Sequence, residues 1–385
     1  MNAIVIEPLA NKNKIRQKLS EVNVTLLVLL SLIAATGVGA LLSVSGGEWN
    51  PYALPHGMRY TAALLALITI GITPLKFWLT VAYPAYFGTL LLLILVPLIG
   101  AENMGAQRWI AIGSFQFQPS ELMKVALVLG LARYYHALEY DRVSTIAGLL
   151  PPLAMIALPV GLVFLQPDLG TSILLGLSGS AVVLLAGISW RWLTLGLVGM
   201  IGGAIGGLQS GLIKAYQWER ITAFLNPDAD PLGKNYHPTQ SKIAIGSGGV
   251  EGKGYMQGTQ SKLDFLPEMH TDFIFTILGE EFGLYGALVV LGLYLGVFFT
   301  ALQIALSAKS HFGRLLTMGI AVTFLSYVLI NTGMVIGLAP VVGVPLPLIS
   351  YGGTVMLSMM GGFGLVMSAW IDRNQDTLRT VSFGG

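Results

Sequence analysis

The sequence predicts an all-α, polytopic integral membrane protein with about ten transmembrane helices. Of the 385 residues, 54% are hydrophobic and only 10% are charged, whereas soluble domains carry about a quarter charged residues. The mean hydropathy is +0.72. Apolar runs of about 20 residues recur along the chain, and a helix of that length crosses the hydrocarbon core of a bilayer. A chain of this composition cannot be accommodated as a water-soluble globule.

The apolar runs divide the chain into one membrane domain, residues 22–371, between two polar tails, 1–21 and 372–385. Glycine-rich runs in the spans, such as GGFG at 361–364, favour close helix packing over ligand binding. The predicted spans are 22–44, 57–74, 79–99, 119–135, 145–166, 170–188, 192–213, 272–303, 314–338 and 348–371.

The distribution of lysine and arginine predicts the orientation, because short cytoplasmic loops are enriched in both residues. With ten spans, both tails lie on one side, and that side holds twelve of the 21 basic residues. We therefore expect cytoplasmic termini and a large loop outside, residues 214–271, between helices 7 and 8. A loop of this length is more than a connector.

Composition also excludes several classes of function. The formal net charge is +2 and the chain has no cysteine, so nothing supports a nucleic-acid partner, and thiolate metal sites and disulfides are excluded. HExxH and GxSxG patterns and a GxxxxGK[ST] phosphate loop do not occur in the sequence.

Ionisable residues inside or at the edge of a span are energetically costly and commonly functional. This criterion selects six residues: Glu121, Lys124, Asp168, Asp272, Glu280 and Glu281.

Each of these six also has a purely structural interpretation. Glu121 and Lys124 are three residues apart and could form an intrahelical ion pair, which does not exclude a role in a site. Asp168 could cap the following helix. Asp272 could do the same for the eighth span, and at least one of Glu280 and Glu281 is expected to pair with a base. From spacing alone, structural and functional roles stay equally open for Asp272.

The loops outside the membrane add polar candidates. Glycine-rich backbone from 226 to 272 could approach an anionic group closely, and Lys242 lies within it. Arg108 and Trp109 lie in an earlier loop and His270 lies beside Asp272. For His270, a hydrogen-bonding role at the surface is the alternative. The proline-rich last loop carries Ser350, and its alternative interpretation is a stiff connector.

Several motifs resemble those of the SEDS family (shape, elongation, division and sporulation), and within it the RodA branch. The resemblance extends from about residue 22 to 371, and together the motifs are highly specific. They are GAQRWI (105–110), FQPSELMK (117–124), QPDLGTS (166–172), DPLGKNYHPTQSKIAIGSGGVEGKGY (230–255), GTQSKLDFLPEMHTDFIF (258–275) and GVPLPLISYGG (343–353).

The resemblance implies a peptidoglycan glycosyltransferase of the bacterial inner membrane that polymerises lipid II on the outer face during rod-shape elongation. It implies a class B penicillin-binding protein as transpeptidase partner, together with other proteins of the elongation complex. The family's essential aspartate falls on Asp272, and its polar outer cavity on Arg108, Trp109, Glu121, Lys124 and Asp168. His270, Lys242 and Ser350 are further candidates for substrate binding.

The resulting hypothesis makes Asp272 the general base for the acceptor hydroxyl, with Arg108 or Lys124 stabilising the leaving pyrophosphate. No tightly bound cofactor is expected. A divalent cation, Mg or Mn, held by Glu121 or Asp272 is an alternative source of that stabilisation. A lipid II flippase and a non-enzymatic scaffold remain as competing functions. The clustering of polar residues on the outer side, rather than at mid-depth, is evidence against transport.

Overall fold

The computed structural model describes residues 16–375, except for 104–105, 114, 193, 197–198, 200–201, 203–205, 207–221, 223, 227–235 and 260–268. The described part of the chain is mostly helical and contains one small three-stranded sheet. The elements are α1 (Val24–Val44), α2 (Ala53–Ile72), α3 (Leu75–Ile99), β1 (Ala101–Asn103), β2 (Ala106–Ile112), β3 (Phe115–Phe117), α4 (Pro119–Ala137), α5 (Ile146–Leu165), α6 (Leu169–Leu185), α7 (Tyr236–Gly248), α8 (Ile274–Ser307), α9 (His311–Val335) and α10 (Gly353–Ile371).

Six of the described helices, α1, α3, α5, α8, α9 and α10, are long and apolar enough to cross a membrane. Nine predicted spans correspond to a helix, with ends that differ by a few residues. The remaining one, 192–213, lies largely outside the described residues, so the number ten and the division into one domain and two tails stay predictions. The chain is a multi-pass membrane protein.

The centre of the bundle is formed by α4, α6 and α9, which pack against one another. Helix α4 is buried on most of its surface although it carries Glu121 and Lys124. Helices α2 and α10 pack closely because Gly364 has no side chain: a β-carbon there would meet Ile70 at 2.7 Å. The packing role expected for the GGFG run is confirmed at this position.

The two ends of the described chain meet at one end of the bundle. The Asp372 carboxylate accepts a hydrogen bond from the backbone N–H of Leu75 at 2.8 Å and lies 3.5 Å from the Lys18 ammonium group. Trp370 donates its indole N–H to the carbonyl of Glu21. We call this the terminal end. The opposite end, where α8 begins and α10 starts, is called the Asp272 end.

Four features differ from the sequence predictions. The loop after α3 forms antiparallel strands, β1–β2–β3. The loop before α8 contains helix α7. The last span begins at Gly353 rather than 348, because the preceding proline-rich residues pack in an irregular loop. The span predicted at 272–303 begins at Ile274 and is interrupted at Gly283, whose backbone angles are non-helical.

Candidate active site

Asp272 lies directly before α8, where the polar loop meets the apolar helix. The N-cap position of α8 is Phe273, which makes no side-chain cap hydrogen bond, so Asp272 lies one residue before the cap position that the sequence offered as its structural role. The side chain is half-buried. Its Oδ2 lies 3.4 Å from the position that a β-carbon at Gly343 would occupy. Because Gly343 has φ +70°, a glycine suits both the backbone turn and the close approach.

Asn331 of α9 fixes the backbone around Asp272. Its side-chain amide donates to the carbonyl of Asp272 at 2.8 Å and to the carbonyl of Val344 at 2.7 Å. One fully buried side chain thus joins α9, the start of α8 and the last loop. The backbone at Asp272 is therefore tied to α9 and, through Asn331, to the last loop.

Ser350 makes a second set of contacts with the segment that precedes α8. Its hydroxyl donates to the carbonyl of Thr271 at 2.5 Å and accepts from the N–H of Leu346 at 2.8 Å. The side chain is buried, so in this structure its hydrogen bonds serve the protein itself. The stiff-connector interpretation of the last loop fits these contacts.

His270 belongs to an aromatic cluster that sequence reasoning missed. Its ring stacks on Tyr52 with centroids 4.5 Å apart, and the Tyr351 ring lies 6.0 Å away. The Arg59 guanidinium lies 4.5 Å from the centroid of Tyr351. The N–H of Tyr351 donates to the carbonyl of His270 at 2.8 Å, so the cluster packs directly beside Asp272.

Glu121 and Lys124 form the ion pair that their spacing predicts, with Nζ and Oε1 2.7 Å apart. Both side chains are buried, and Tyr327 of α9 completes the group. The Tyr327 hydroxyl donates to Oε2 of Glu121 at 2.5 Å and accepts from Lys124. The charges therefore compensate each other inside the bundle, which is what burial of an ion pair requires.

Asp168 caps α6, as one interpretation predicted: its Oδ1 accepts from the N–H of Thr171 at 3.1 Å. The other oxygen accepts from the Gln118 amide at 2.9 Å. Arg108 of β2 donates to the carbonyls of Gln166 and Pro167. Arg108 is half-buried, so the strand positions the turn that carries Asp168.

These groups converge around the last loop. A side chain at Gly170, in the first turn of α6, would meet the carbonyl of Val342 at 2.5 Å. Tyr327 and Asn331 lie one turn apart on the same face of α9, so a single helix contacts both the Glu121 pair and Asp272. Trp109 is half-buried beside Arg108 on β2. Lys242 is exposed on α7 and lies over Gly337, just after the end of α9.

Two polar side chains of α9 were not predicted from the sequence, because they are uncharged at neutral pH and lie in an apolar run. Tyr327 and Asn331 both lie in the apolar run LSYVLINTG and are fully buried. Uncharged polar residues at i and i+4 in a span are a detectable signal, because hydrogen-bonding side chains join helices across a membrane bundle.

The arrangement gives little support to a metal site. No group of three histidine, cysteine, aspartate or glutamate side chains within the described part of the chain lies close enough to hold an ion. Both Glu121 oxygens accept from Lys124 and Tyr327. The donor set is thus unlike the oxygen cage that Mg²⁺ prefers, and we derive no step through a metal.

Comparison with known proteins identifies the family. The sequence profile of the FtsW/RodA/SpoVE family, described as "cell cycle protein", matches residues 17–375. Peptidoglycan glycosyltransferase MrdB of Escherichia coli is 43% identical over 343 residues, which cover 89% of this chain and 91% of that protein.

Two solved structures have the same fold. One is a chain from the structure of a peptidoglycan synthase complex, described as coordinating polymerisation and crosslinking. It has a TM-score of 0.81 at 31% sequence identity, and the match covers 92% of this chain and 99% of that chain. The rod shape determining protein RodA of Thermus thermophilus has a TM-score of 0.69 at 29% identity, covering 92% and 98%. Because the family profile matches nearly the whole chain and the solved structures share its fold, the chain belongs to the FtsW/RodA/SpoVE family.

Proposed function

We propose that the chain is a peptidoglycan glycosyltransferase that polymerises lipid II, with Asp272 as the general base. The name of the E. coli relative supports the reaction class. The single observation that carries the assignment of the base is the placement of Asp272, a half-buried carboxylate where a polar loop enters an apolar helix. Lipid II has the same division, because its sugars are polar and its polyprenyl tail is apolar.

The reaction requires one proton transfer and one displacement. Asp272 takes the proton of the acceptor 4-hydroxyl while that oxygen attacks the anomeric carbon of the donor. A glycosidic C–O bond forms, the bond from the anomeric carbon to the phosphate oxygen breaks, and polyprenyl pyrophosphate leaves with the electron pair. A single displacement inverts the anomeric configuration. A general base contributes about 10²- to 10⁴-fold in rate.

Arg108 is our candidate for stabilising the leaving pyrophosphate. A guanidinium has five N–H donors, and the contacts with Gln166 and Pro167 use only part of them. Lys124 is fully buried between Glu121 and Tyr327. We therefore assign Lys124 to maintaining the bundle around the site, and the charge on the leaving group to Arg108.

The Asp272 end faces the outside of the inner membrane in this proposal, and both termini are cytoplasmic. The positive-inside distribution of basic residues supports that orientation. A class B penicillin-binding protein is the proposed partner, since one similar structure belongs to a complex that coordinates polymerisation with crosslinking. Single cysteines placed in 236–259 test the orientation cleanly, because the chain has no cysteine of its own.

The test of the base is the Asp272→Asn variant, purified with its partner and supplied with labelled lipid II in detergent. We expect polymerisation to fall about 10²- to 10⁴-fold with an unchanged thermal unfolding temperature. Glu139→Gln is the control, because Glu139 is exposed and pairs only with the exposed Arg142 in the described structure. Full-length glycan strands from Asp272→Asn would refute the assignment of the base.

The same assay separates the proposed enzyme from a flippase, because detergent solution has no two sides between which lipid II could be moved. Polymer formed by the purified wild-type protein supports the enzyme. No polymer at all from the wild-type complex would count against the proposed function as a whole.

A further inference from the structure

Helix α8 consists of two segments that meet at a non-helical residue. Gly283 has φ 64° and ψ −158°, and it separates residues 274–282 from 284–307. The second segment has 24 residues and a length of about 36 Å, enough to cross the hydrocarbon core alone. The first segment begins two residues after Asp272 and is not needed for the crossing. It can therefore pack with the loop that precedes α8.

The backbone of the preceding loop replaces the helical hydrogen bonds lost at this break. The N–H groups of Lys253 and Gly254 donate to the carbonyls of Glu280 and Glu281 at 3.0 and 2.9 Å. In return, the N–H groups of Leu284 and Tyr285 donate to loop carbonyls at 3.0 and 3.2 Å. The loop thus forms backbone hydrogen bonds with both sides of the break.

The glycines of this loop serve the same contact. A β-carbon at Gly283 would meet the nitrogen of Gly252 at 2.5 Å, so the two backbones touch. The glycine-rich sequence predicted that this loop could offer its N–H groups to an anionic ligand. At Lys253 and Gly254 those donors are used by α8 instead.

A buried ion pair holds the loop against the first segment. Oε1 of Glu280 accepts from the Lys253 ammonium group at 2.6 Å and from both the N–H and the hydroxyl of Thr259 at 2.9 Å. Glu280 is fully buried, whereas the Lys253 side chain is 25% exposed. The prediction that at least one of Glu280 and Glu281 pairs with a base is confirmed at Glu280.

Two more contacts make the first segment a fixed body. Ser43 of α1 donates to the Glu281 carboxylate, and the Ser241 hydroxyl of α7 lies 2.7 Å from that of Thr276. Asp272 precedes this segment by two residues, and Glu280 lies eight residues after Asp272. Residues 274–282 span about 13 Å, so a shift of the far end of the segment is transmitted to the carboxylate at its near end.

We infer that Glu280 is a positioning residue for the proposed reaction. Its ion pair with Lys253 and its bonds to Thr259 hold the loop in the break of α8, and so fix the short segment whose start orients Asp272. Glu280 acts through Asp272 and does not touch the substrate. This inference rests on the proposed function and adds Glu280 to the residues on which the proposed reaction depends.

The first test is Glu280→Gln, which keeps the shape and removes the charge. A hydrogen bond to a neutral acceptor is about half as strong as one to a carboxylate, so the loop is held less firmly. We expect kcat for glycan polymerisation to fall about 10- to 100-fold, since a misplacement of about 1 Å costs up to that factor. KM should change by less than about two-fold, because substrate contacts remain.

The matched control is Asp372→Asn at the terminal end. Asp372 is buried like Glu280, and its partner Lys18 has the same 25% exposure as Lys253. Helix α10 separates it from the Asp272 end by about 28 Å. We expect a comparable loss of thermal stability with kcat unchanged, which separates positioning from general stability.

A redox-reversible variant tests the link itself. The backbone N–H of Lys253 donates to the carbonyl of Glu280 at 3.0 Å, so the two main chains are in contact, which is the condition for testing an engineered disulfide at this pair. The double variant Lys253→Cys/Glu280→Cys lacks the ion pair, and its disulfide would restore the link. We expect low kcat under dithiothreitol and recovery of most of the activity after oxidation.

The outcomes distinguish the alternatives. Recovery on oxidation supports positioning, whereas an oxidised, folded double variant that stays inactive would make Glu280 a group with its own chemical role and overturn the inference. Wild-type kcat in Glu280→Gln, alongside an inactive Asp272→Asn, would also overturn it while leaving the proposed function intact. A wild-type complex that makes no polymer removes both.

Discussion

The Asp272 end contains two buried ion pairs of opposite construction. Glu121 and Lys124 lie on one turn of α4, both buried, and Tyr327 closes the group. Glu280 and Lys253 are 27 residues apart, join a helix to a loop, and leave the lysine partly exposed. The first pair stabilises the interior of the bundle, and the second attaches a segment that could otherwise move. Two lysine–glutamate pairs thus have different roles: the pair on α4 stabilises the bundle, and the pair between the loop and α8 positions the segment next to Asp272.

The largest effect on stability is expected from Lys124→Met. This change leaves the Glu121 carboxylate buried without its cation, and breaking a buried pair in this way costs about 3–5 kcal/mol. We expect a lower thermal unfolding temperature in detergent. Retained stability would mean that Tyr327 alone compensates Glu121 and that the comparison of the two pairs is wrong.

A smaller loss of stability is expected from Lys253→Met. After this change the Glu280 carboxylate still accepts two hydrogen bonds from Thr259, whereas Glu121 without Lys124 keeps only the bond from Tyr327. Removing one partner of a hydrogen-bonded group costs about 1–3 kcal/mol. The unfolding temperature should therefore fall less than in Lys124→Met, while kcat falls as in Glu280→Gln. If Lys253→Met lost more stability than Lys124→Met, the Glu280 pair would be the one that stabilises the bundle, and the roles assigned to the two pairs would be wrong.

The smallest effect is expected from Arg142→Gln, which removes the exposed pair with Glu139. Both side chains are largely exposed, at 70% and 62%, and such pairs contribute about 0–1 kcal/mol. We expect an unchanged unfolding temperature and unchanged polymerisation. This variant then serves as the reference for a solvent-exposed ion pair, with which the losses at the two buried pairs are compared. A marked loss of activity would point to a function at this position that the ion pair does not explain.

Local patterns were accessible from the sequence because a helix brings neighbours in the chain together. The spacing of Glu121 and Lys124 predicts their pair, and the position of Asp168 before an apolar run predicts its cap; both are confirmed. Apolar length predicts the spans for the same reason. Their ends are less certain, since the loop before Gly353 and the break at Gly283 depend on contacts with other segments.

Contacts between distant segments were not accessible in this way. Nothing local indicates that Lys253 pairs with Glu280 or that Asn331 fixes the carbonyl of Asp272. The strands after α3 and helix α7 were missed because short polar segments carry weak periodicity. The catalytic assignment of Asp272 came from the family resemblance, and it remains a proposal that the geometry supports.

The hydrogen bond from Leu75 to Asp372 has a practical consequence for fluorescent fusions and deletions. The carboxylate caps α3 from the far end of the described chain, so a deletion that reaches residue 372 would remove the cap from a helix almost 300 positions earlier. Reporter domains should therefore be joined downstream of Asp372, where they leave that bond in place.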